Sequence, residues 1–334
     1  MGEEDRLKKV LFFADLNKLH DSLEYFDIGS FADKKVPIKL HMGELKNKHF
    51  LKPSLAKFVV EELKSIKANP YLFDTTVAYP GLRHFVSGYQ QLARIHGFSM
   101  KKIGCDIIID DGGVIVKAEN REHEVAWHLI NSAHIFVLSH VKGHIQSGFG
   151  GAIKNLGMGG VTKETKRKIH QGSRPVYQKD ACTFCGVCAE VCPFDAIVVK
   201  KNNWNHNVRK CFGCGVCVDA CKSGAIIHKD VDFQYALACS ALACVKDKNV
   251  IYLNELKRIA KSCDCDPFAD PIICPDIGYL VSDDPVAIDK ASLDLINEIK
   301  PDVFLKENKI DPFKQIKYGE EIGLGSSSYQ LIDI

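Results

Sequence analysis

The sequence predicts an α/β fold, a mainly parallel sheet covered by helices with a small cysteine-rich module inserted into it. Three observations predict it. Short apolar runs without clean polar alternation are separated by amphipathic helical patterns, as in sheets buried on both faces. Cysteines crowd into one stretch of the chain, and the strand and helix patterning resumes after that stretch. The expected boundaries are residues 1–172 for the first part of the α/β domain, 173–232 for the module and 233–334 for the second part.

Strands are expected at residues 10–14, 37–41, 71–75, 106–109, 114–116 and 135–140, where β-branched and aromatic residues cluster. Helices are expected at 53–67, 82–96 and 122–131, where apolar residues recur at three- and four-residue spacing. After the module come a helix at 233–245, strands at 250–253 and 278–281, and a helix at 285–300. Asp283 or Asp284 caps that last helix and Pro285 occupies its first turn. In such a sheet the ligand crevice lies beyond the carboxyl ends of the strands.

A length of 334 residues with 46% hydrophobic and 26% charged residues suits a globular protein of two or three domains. The formal net charge of +2 argues against nucleic acid as the main partner. No apolar stretch approaches the roughly 20 residues that span a bilayer. The start of the chain is charged and precedes only a short apolar run, so no secretory signal is expected and the location is expected to be cytoplasmic. In that setting the crowding of the 14 cysteines, mostly two residues apart, reads as metal ligation by reduced thiolates and not as disulfides.

Eight of the cysteines form two runs: Cys182, Cys185, Cys188 and Cys192, then Cys211, Cys214, Cys217 and Cys221. Each run is C-x₂-C-x₂-C-x₃-C, the bacterial-type ferredoxin spacing for [4Fe-4S] clusters. The second copy follows the first by 29 residues, and Ala196-Ile197-Val198 answers to Ala225-Ile226-Ile227, which marks an internal duplication. Three thiolates two residues apart wrap one face of a cubane, and the fourth ligates the other cluster. One cluster is therefore expected on Cys182, Cys185, Cys188 and Cys221, the other on Cys211, Cys214, Cys217 and Cys192. Pro193 follows the usual pattern, and Lys222 replaces the second proline. Zinc also takes four cysteines, but its sites usually space two short pairs far apart.

The remaining candidates fall at strand ends. His41 and Glu44 follow one strand, and Asp74, Thr75 and Thr76 end another. The segment from His140 through Lys142 and His144 runs into a glycine-rich turn with Gly150, Gly151, Lys154 and Asn155. His140, Lys142, His144 and Lys154 are the catalytic candidates, suited to positioning a substrate or exchanging protons. His41, Glu44, Gly150, Gly151 and Asn155 are the cofactor-binding candidates, because exposed backbone N–H groups and a helix N-terminus favour an anion. The turn matches neither G-x-x-x-x-G-K-[ST] nor G-x-G-x-x-G, so it carries no nucleotide signature. Cys105, Cys239 and Cys244 read as core residues. Cys263 and Cys265, with Cys274 further on, leave room for an additional metal or unidentified cofactor.

The strings Ile38-Lys39-Leu40-His41-Met42-Gly43-Glu44, His140-Val141-Lys142-Gly143-His144, Gly150-Gly151-Ala152-Ile153-Lys154-Asn155-Leu156-Gly157 and Asp284-Pro285-Val286-Ala287-Ile288-Asp289 occur in order around the cysteine runs. Together they resemble an uncharacterised prokaryotic iron–sulfur protein family, domain of unknown function 362, with a two-cluster ferredoxin module inside it. The resemblance covers nearly the whole chain. It implies a cytoplasmic, anaerobic redox protein and supplies no reaction.

The function expected is an oxidoreductase in which two [4Fe-4S] clusters exchange electrons with a small molecule bound by the α/β domain. An electron donor or acceptor protein is the expected partner. The competing readings are a dedicated electron carrier or subunit, whose α/β domain is a docking platform, and a metal-cofactor assembly protein using Cys263, Cys265 and Cys274. The sequence leaves the oligomeric state open.

Overall fold

A computed structural model describes residues 7–334. The charged start of the chain, residues 1–6, lies outside the described residues. The main sheet has eight strands, labelled β1 (Lys8–Phe13), β2 (Lys35–Lys39), β3 (Asn69–Thr75), β4 (Ile107–Asp110), β5 (His134–His140), β6 (Asn249–Leu256), β7 (Gly278–Ser282) and β8 (Tyr329–Asp333). Their spatial order is β8-β1-β7-β6-β5-β2-β3-β4. Every neighbouring pair is parallel except those of β7, which runs antiparallel to both β1 and β6.

Six longer helices matter for the site: α1 (Pro53–Ser65), α2 (Val86–Ile95), α3 (Ala152–Gly159), α4 (Lys163–Gly172), α5 (Phe233–Val245) and α6 (Pro285–Ile299). Successive strand residues point to opposite faces, so each strand feeds two cores. Val10, Val137 and Leu280 pack with Leu156 of α3, Ala241 of α5 and Ile288 of α6. Leu11, Phe136, Leu138 and Val281 pack with Val59 of α1 and Leu92 of α2 on the other face. Helix α5 is apolar all round and buried between neighbours, and the Asp232 carboxylate caps it by accepting the Gln234 and Tyr235 N–H groups. Asp284 caps α6 in the same way, with Pro285 in the first turn, as its sequence predicts.

The helix expected at 122–131 is mostly strand. Arg121–Ala126 pairs with Gly113–Ala118 as a hairpin, and only Trp127–Ile130 is helical. The turn residues Glu119 and Asn120 both have positive φ, the conformation of a two-residue hairpin turn. His123 and Val125 are buried on either side of the more exposed Glu124, which is a two-residue period.

The chain leaves the sheet after β5 and returns at β6, and these two strands pair directly, Asn249 opposite His134. Residues 175–228 between them contribute no strand to the main sheet. They form two small ladders, Pro175–Tyr177 with Ile226–His228 and Ile197–Lys200 with Asn203–His206. The cysteine runs repeat each other's backbone: Gly186 and Gly215 share φ near +83° and open the short helices Val187–Glu190 and Val216–Asp219. Phe184 and Gly213 also match in positive φ, as do Asp195 and Gly224.

Candidate functional site

Parallel strands β2, β3, β5 and β6 deliver their carboxyl ends to one edge. The chain order reverses between β2 and β5, because β3 and β4 extend to one side and β6 to the other. That reversal opens a crevice. A cavity of about 780 Å³ lies there, and strand-end residues Lys39, His41, Asp74, Thr75 and His140 line it. Helix α4 adds Lys166 and His170, which stand one turn apart on one face. Arg174, Arg209, Cys211 and Phe212 from the cysteine-rich segment close one side, and Cys263, Asp264 and Cys265 close another.

Buried charges hold the floor together. Lys39, only 1% exposed, reaches Asp74 Oδ1 at 2.9 Å and Asn155 Oδ1 at 2.8 Å. The Asn155 amide donates in turn to the Leu138 carbonyl and to Ser139 Oγ, both at 3.0 Å. Arg83 lies 3.6 Å from Asp74 and 3.9 Å from Glu44, and its guanidinium covers the Tyr89 ring. Burial alone would push the Asp74 carboxyl up, yet Lys39, Arg83 and Lys166 hold it below its usual value. Lys166 donates to Thr75 Oγ1 and to the Thr76 carbonyl, and burial among these cations brings its amine down to about 7.

The four catalytic candidates come together, in different states. Both ring nitrogens of His140 are engaged, Nδ1 with Asp264 Oδ1 at 2.8 Å and Nε2 with the Lys257 carbonyl at 2.8 Å. His140 therefore positions Asp264. Lys142 is tied to the His140 carbonyl and lies 3.4 Å from Asp264 Oδ2. Burial alone would push the Asp264 carboxyl up, but His140 and Lys142 beside it hold it well below its usual value. His144 sits in a tight hairpin, Lys142–His144 paired with Gly148–Gly150, which Gly148 allows with a φ of +69°. Its Nδ1 is 2.9 Å from Ser147 Oγ, and burial keeps the ring neutral. Lys154 has no hydrogen bond or ion pair among the described residues. Burial, then the charge on Lys142, brings its amine down to about 7.

Among the cofactor-binding candidates, His41, Gly151 and Asn155 line the cavity. His41 Nδ1 accepts the Gly43 N–H at 3.0 Å, leaving Nε2 without a partner. Glu44 lies behind the wall, bound by Tyr79 at 3.0 Å. Gly150 and Gly151 do not present free N–H groups of α3 to a ligand. Asp289 already accepts the N–H groups of Ala152 at 2.7 Å and Ile153 at 2.9 Å. The anion that this helix N-terminus attracts is the protein's own.

The eight cysteines of the two runs lie in crossed sets. Cys217 is pushed up to about 12 by burial and then by Cys214, Cys211 and Cys192. Cys188 is pushed up by burial and by Cys221 and Cys185, with Trp204 opposing. Cys192 thus lies with the first three cysteines of the second run, and Cys221 lies beside Cys188 of the first. The buried Tyr177 Oη and Trp204 Nε1 have only the Cys182 and Cys188 sulfurs beside them, and the two rings stack. The Phe184 and Ala196 N–H groups point at the sulfurs of Cys182 and Cys192, at 3.4 and 3.3 Å. Gln146, from the turn after His144, donates to the Phe212 carbonyl and joins the hairpin to the second run.

Residues 36–294 match the family model for domain of unknown function DUF362. The chain belongs to the DUF362 family. Among curated proteins, none matches it. In solved structures, this DUF362 chain resembles the lactate racemase apoprotein from Thermoanaerobacterium thermosaccharolyticum at a TM-score of 0.40 and 10% identity, over 76% of this chain and 52% of that one. A Thermotoga maritima protein solved by structural genomics gives 0.42 and 10%, over 92% and 59%. This chain therefore spans little more than half the length of either.

Lys39, Arg83, Lys166, His170 and Asp264 joined the DUF362 site without being singled out in the sequence. Lys39 carried a readable signal, a lysine inside an otherwise apolar strand, which burial forces to find a carboxylate. Arg83 and Asp264 gave none, because their partners lie far away in the chain.

Proposed function

We propose that this protein is an iron–sulfur oxidoreductase that acts on a small anionic molecule in the strand-end cavity. Cys182, Cys185, Cys188 and Cys221 would hold one [4Fe-4S] cluster, and Cys211, Cys214, Cys217 and Cys192 the other. Several features fit such groups. Tyr177 Oη and Trp204 Nε1 are buried donors set beside the Cys182 and Cys188 thiols, where cluster sulfurs would accept from them. In neither set do three sulfurs come within 4.8 Å of one another, which suits a polynuclear group better than a single zinc ion. When bound, the clusters would supply one-electron chemistry.

The observation that carries the proposal is that one cavity touches both halves of the molecule, with Cys211 and Phe212 on one wall and Lys154, Lys166 and Arg83 on another. The cations would neutralise a carboxylate or phosphate, and burial strengthens that attraction. Lys154, with its amine near neutrality and unpaired, would hold or release a proton at Nζ. His140 would keep Asp264, and through it Lys142, in place. Exposed Val187, Val198 and Val208 beside the cysteine runs offer an electron-donor protein an apolar contact.

The test is total iron, acid-labile sulfide and a mass spectrum of released small molecules, on protein purified anaerobically. About eight irons and eight sulfides per chain are expected. Far fewer in protein kept free of oxygen would sink the two-cluster assignment.

A further inference from the structure

Cys263 and Cys265 are disulfide-bonded to each other, with Cα atoms 5.2 Å apart and one residue between them. Both face the cavity. The stabilisation from a cross-link grows with the loop it closes, so a ring this small adds little. Its placement calls for a chemical reason.

The surrounding residues hold the pair rigidly. Glu44 N–H donates to the Asp264 carbonyl at 2.9 Å, and the Asn47 amide donates to the Asp266 carbonyl at 2.7 Å. The Asp264 side chain is anchored by His140 and Lys142. A His144 ring nitrogen and the two sulfurs lie within 4.8 Å of one another. Cys274 is not in this group; it pairs with Ile259 in the neighbouring hairpin. Cys263 is 4% exposed, whereas Cys265 is the more open of the two. Cations close to a thiol favour its thiolate.

We propose that Cys263 and Cys265 form a redox-active couple that exchanges with a small anionic thiol bound in the basic cavity. This names the substrate class of the proposed oxidoreductase and rests on reading its cavity as an anion site. The thiolate of R–SH attacks Cys265 Sγ. A bond forms between R–S and Cys265, and the Cys263–Cys265 bond breaks. Cys263 leaves as a thiolate and takes up the proton that the incoming thiol released. A second R–SH, deprotonated in the same way, attacks the sulfur of the first R group. R–S–S–R departs, and Cys265 takes up the second proton. One disulfide and two thiols thus become one dithiol and one new disulfide, with two electrons and two protons passed to the protein. The reverse sequence reduces R–S–S–R.

The experiment uses anaerobically purified full-length protein equilibrated in mercaptoacetate and its disulfide at set ratios. Free thiols are then alkylated, and the peptide bearing residues 263–265 is weighed. The expected result is a single transition in which both cysteines change together. Exchange with mercaptoacetate should be about tenfold faster than with uncharged mercaptoethanol, a preference that high salt erases. Cys263→Ser treated with the disulfide of mercaptoacetate alone should hold a lasting mixed disulfide on Cys265, because no neighbouring thiol is left to release it. A pair that stays oxidised in excess thiol overturns the proposal. So does a metal held stoichiometrically by wild type and lost in the Cys263→Ser, Cys265→Ser double variant. Iron and sulfide measured on the same samples separate the two readings: full clusters without exchange defeat only the thiol couple, and exchange without iron defeats only the clusters.

Discussion

At the scale of single residues, the site depends on cations held in a cavity where burial weakens their charged form. Lys154 is the clearest case, because its amine is brought down to about 7 from a usual 10.5. Its unfolded form holds a proton over the whole interval between those values and its folded form does not. Stability should therefore rise with pH across that interval, and the cost of burying the charge is largest below it. Lys154→Met should raise stability at pH 6 by roughly 2–4 kcal/mol, remove that pH dependence in thermal melts, and weaken anion binding. A variant less stable than wild type at pH 6 would contradict this account. The His140–Lys154 segment was legible as a cluster of polar residues. That His140 spends both ring nitrogens inside the protein while Lys154 spends nothing was not, since it depends on Asp264 and Lys257, far along the chain.

At the scale of elements, α3 is the joint of the site. Its N-terminus is satisfied by Asp289 of α6, and its middle crosses α5 so closely that Gly157 lies against the Leu237 backbone. Gly157→Ala should force the two helices apart and cost roughly 1–3 kcal/mol, read as a lower denaturation midpoint. Asp289→Ala frees two buried backbone N–H groups and the Asn254 amide at once and should cost a similar roughly 1–3 kcal/mol. The sign of the pH effect differs from that of Lys154. Burial raises the Asp289 carboxyl from 3.8 to about 6, so its contribution is full below the lower value and is lost as pH rises through the upper one. The strands were legible because apolar runs on a doubly covered sheet are long and continuous. The hairpin at residues 113–126 was not, because its exposed charges fall at spacings that also suit a helix.

At the scale of the whole molecule, a formal charge of +2 conceals an uneven distribution, with lysines and arginines gathered inside one cavity. Affinity for a small anion should fall as ionic strength rises, less steeply than for surface pairs because the cavity is sheltered. The cysteine-rich segment has a core of only a few buried residues, Cys188, Ile197, Cys217 and Ile226. A core that small does not hold a fold without metal or other staples. Chelation of iron should therefore open residues 173–232 to limited proteolysis while the sheet survives, and equal resistance with and without iron would argue against that dependence. The order of the strands was not legible, because nothing local tells β7 to run against its neighbours.

The two ends of the chain meet in the sheet. β1 lies between β7 and β8, pairing Lys8 with Tyr329 and Leu11 with Val281. During synthesis the first strand made must wait for the last two before it gains a neighbour on either side. The cysteine runs emerge long before that, attached to a half-built scaffold whose crevice already has β2, β3 and β5 but not β6. Such a chain presents its cysteine runs before the segment from Ser262 to Pro267 arrives to complete the cavity wall.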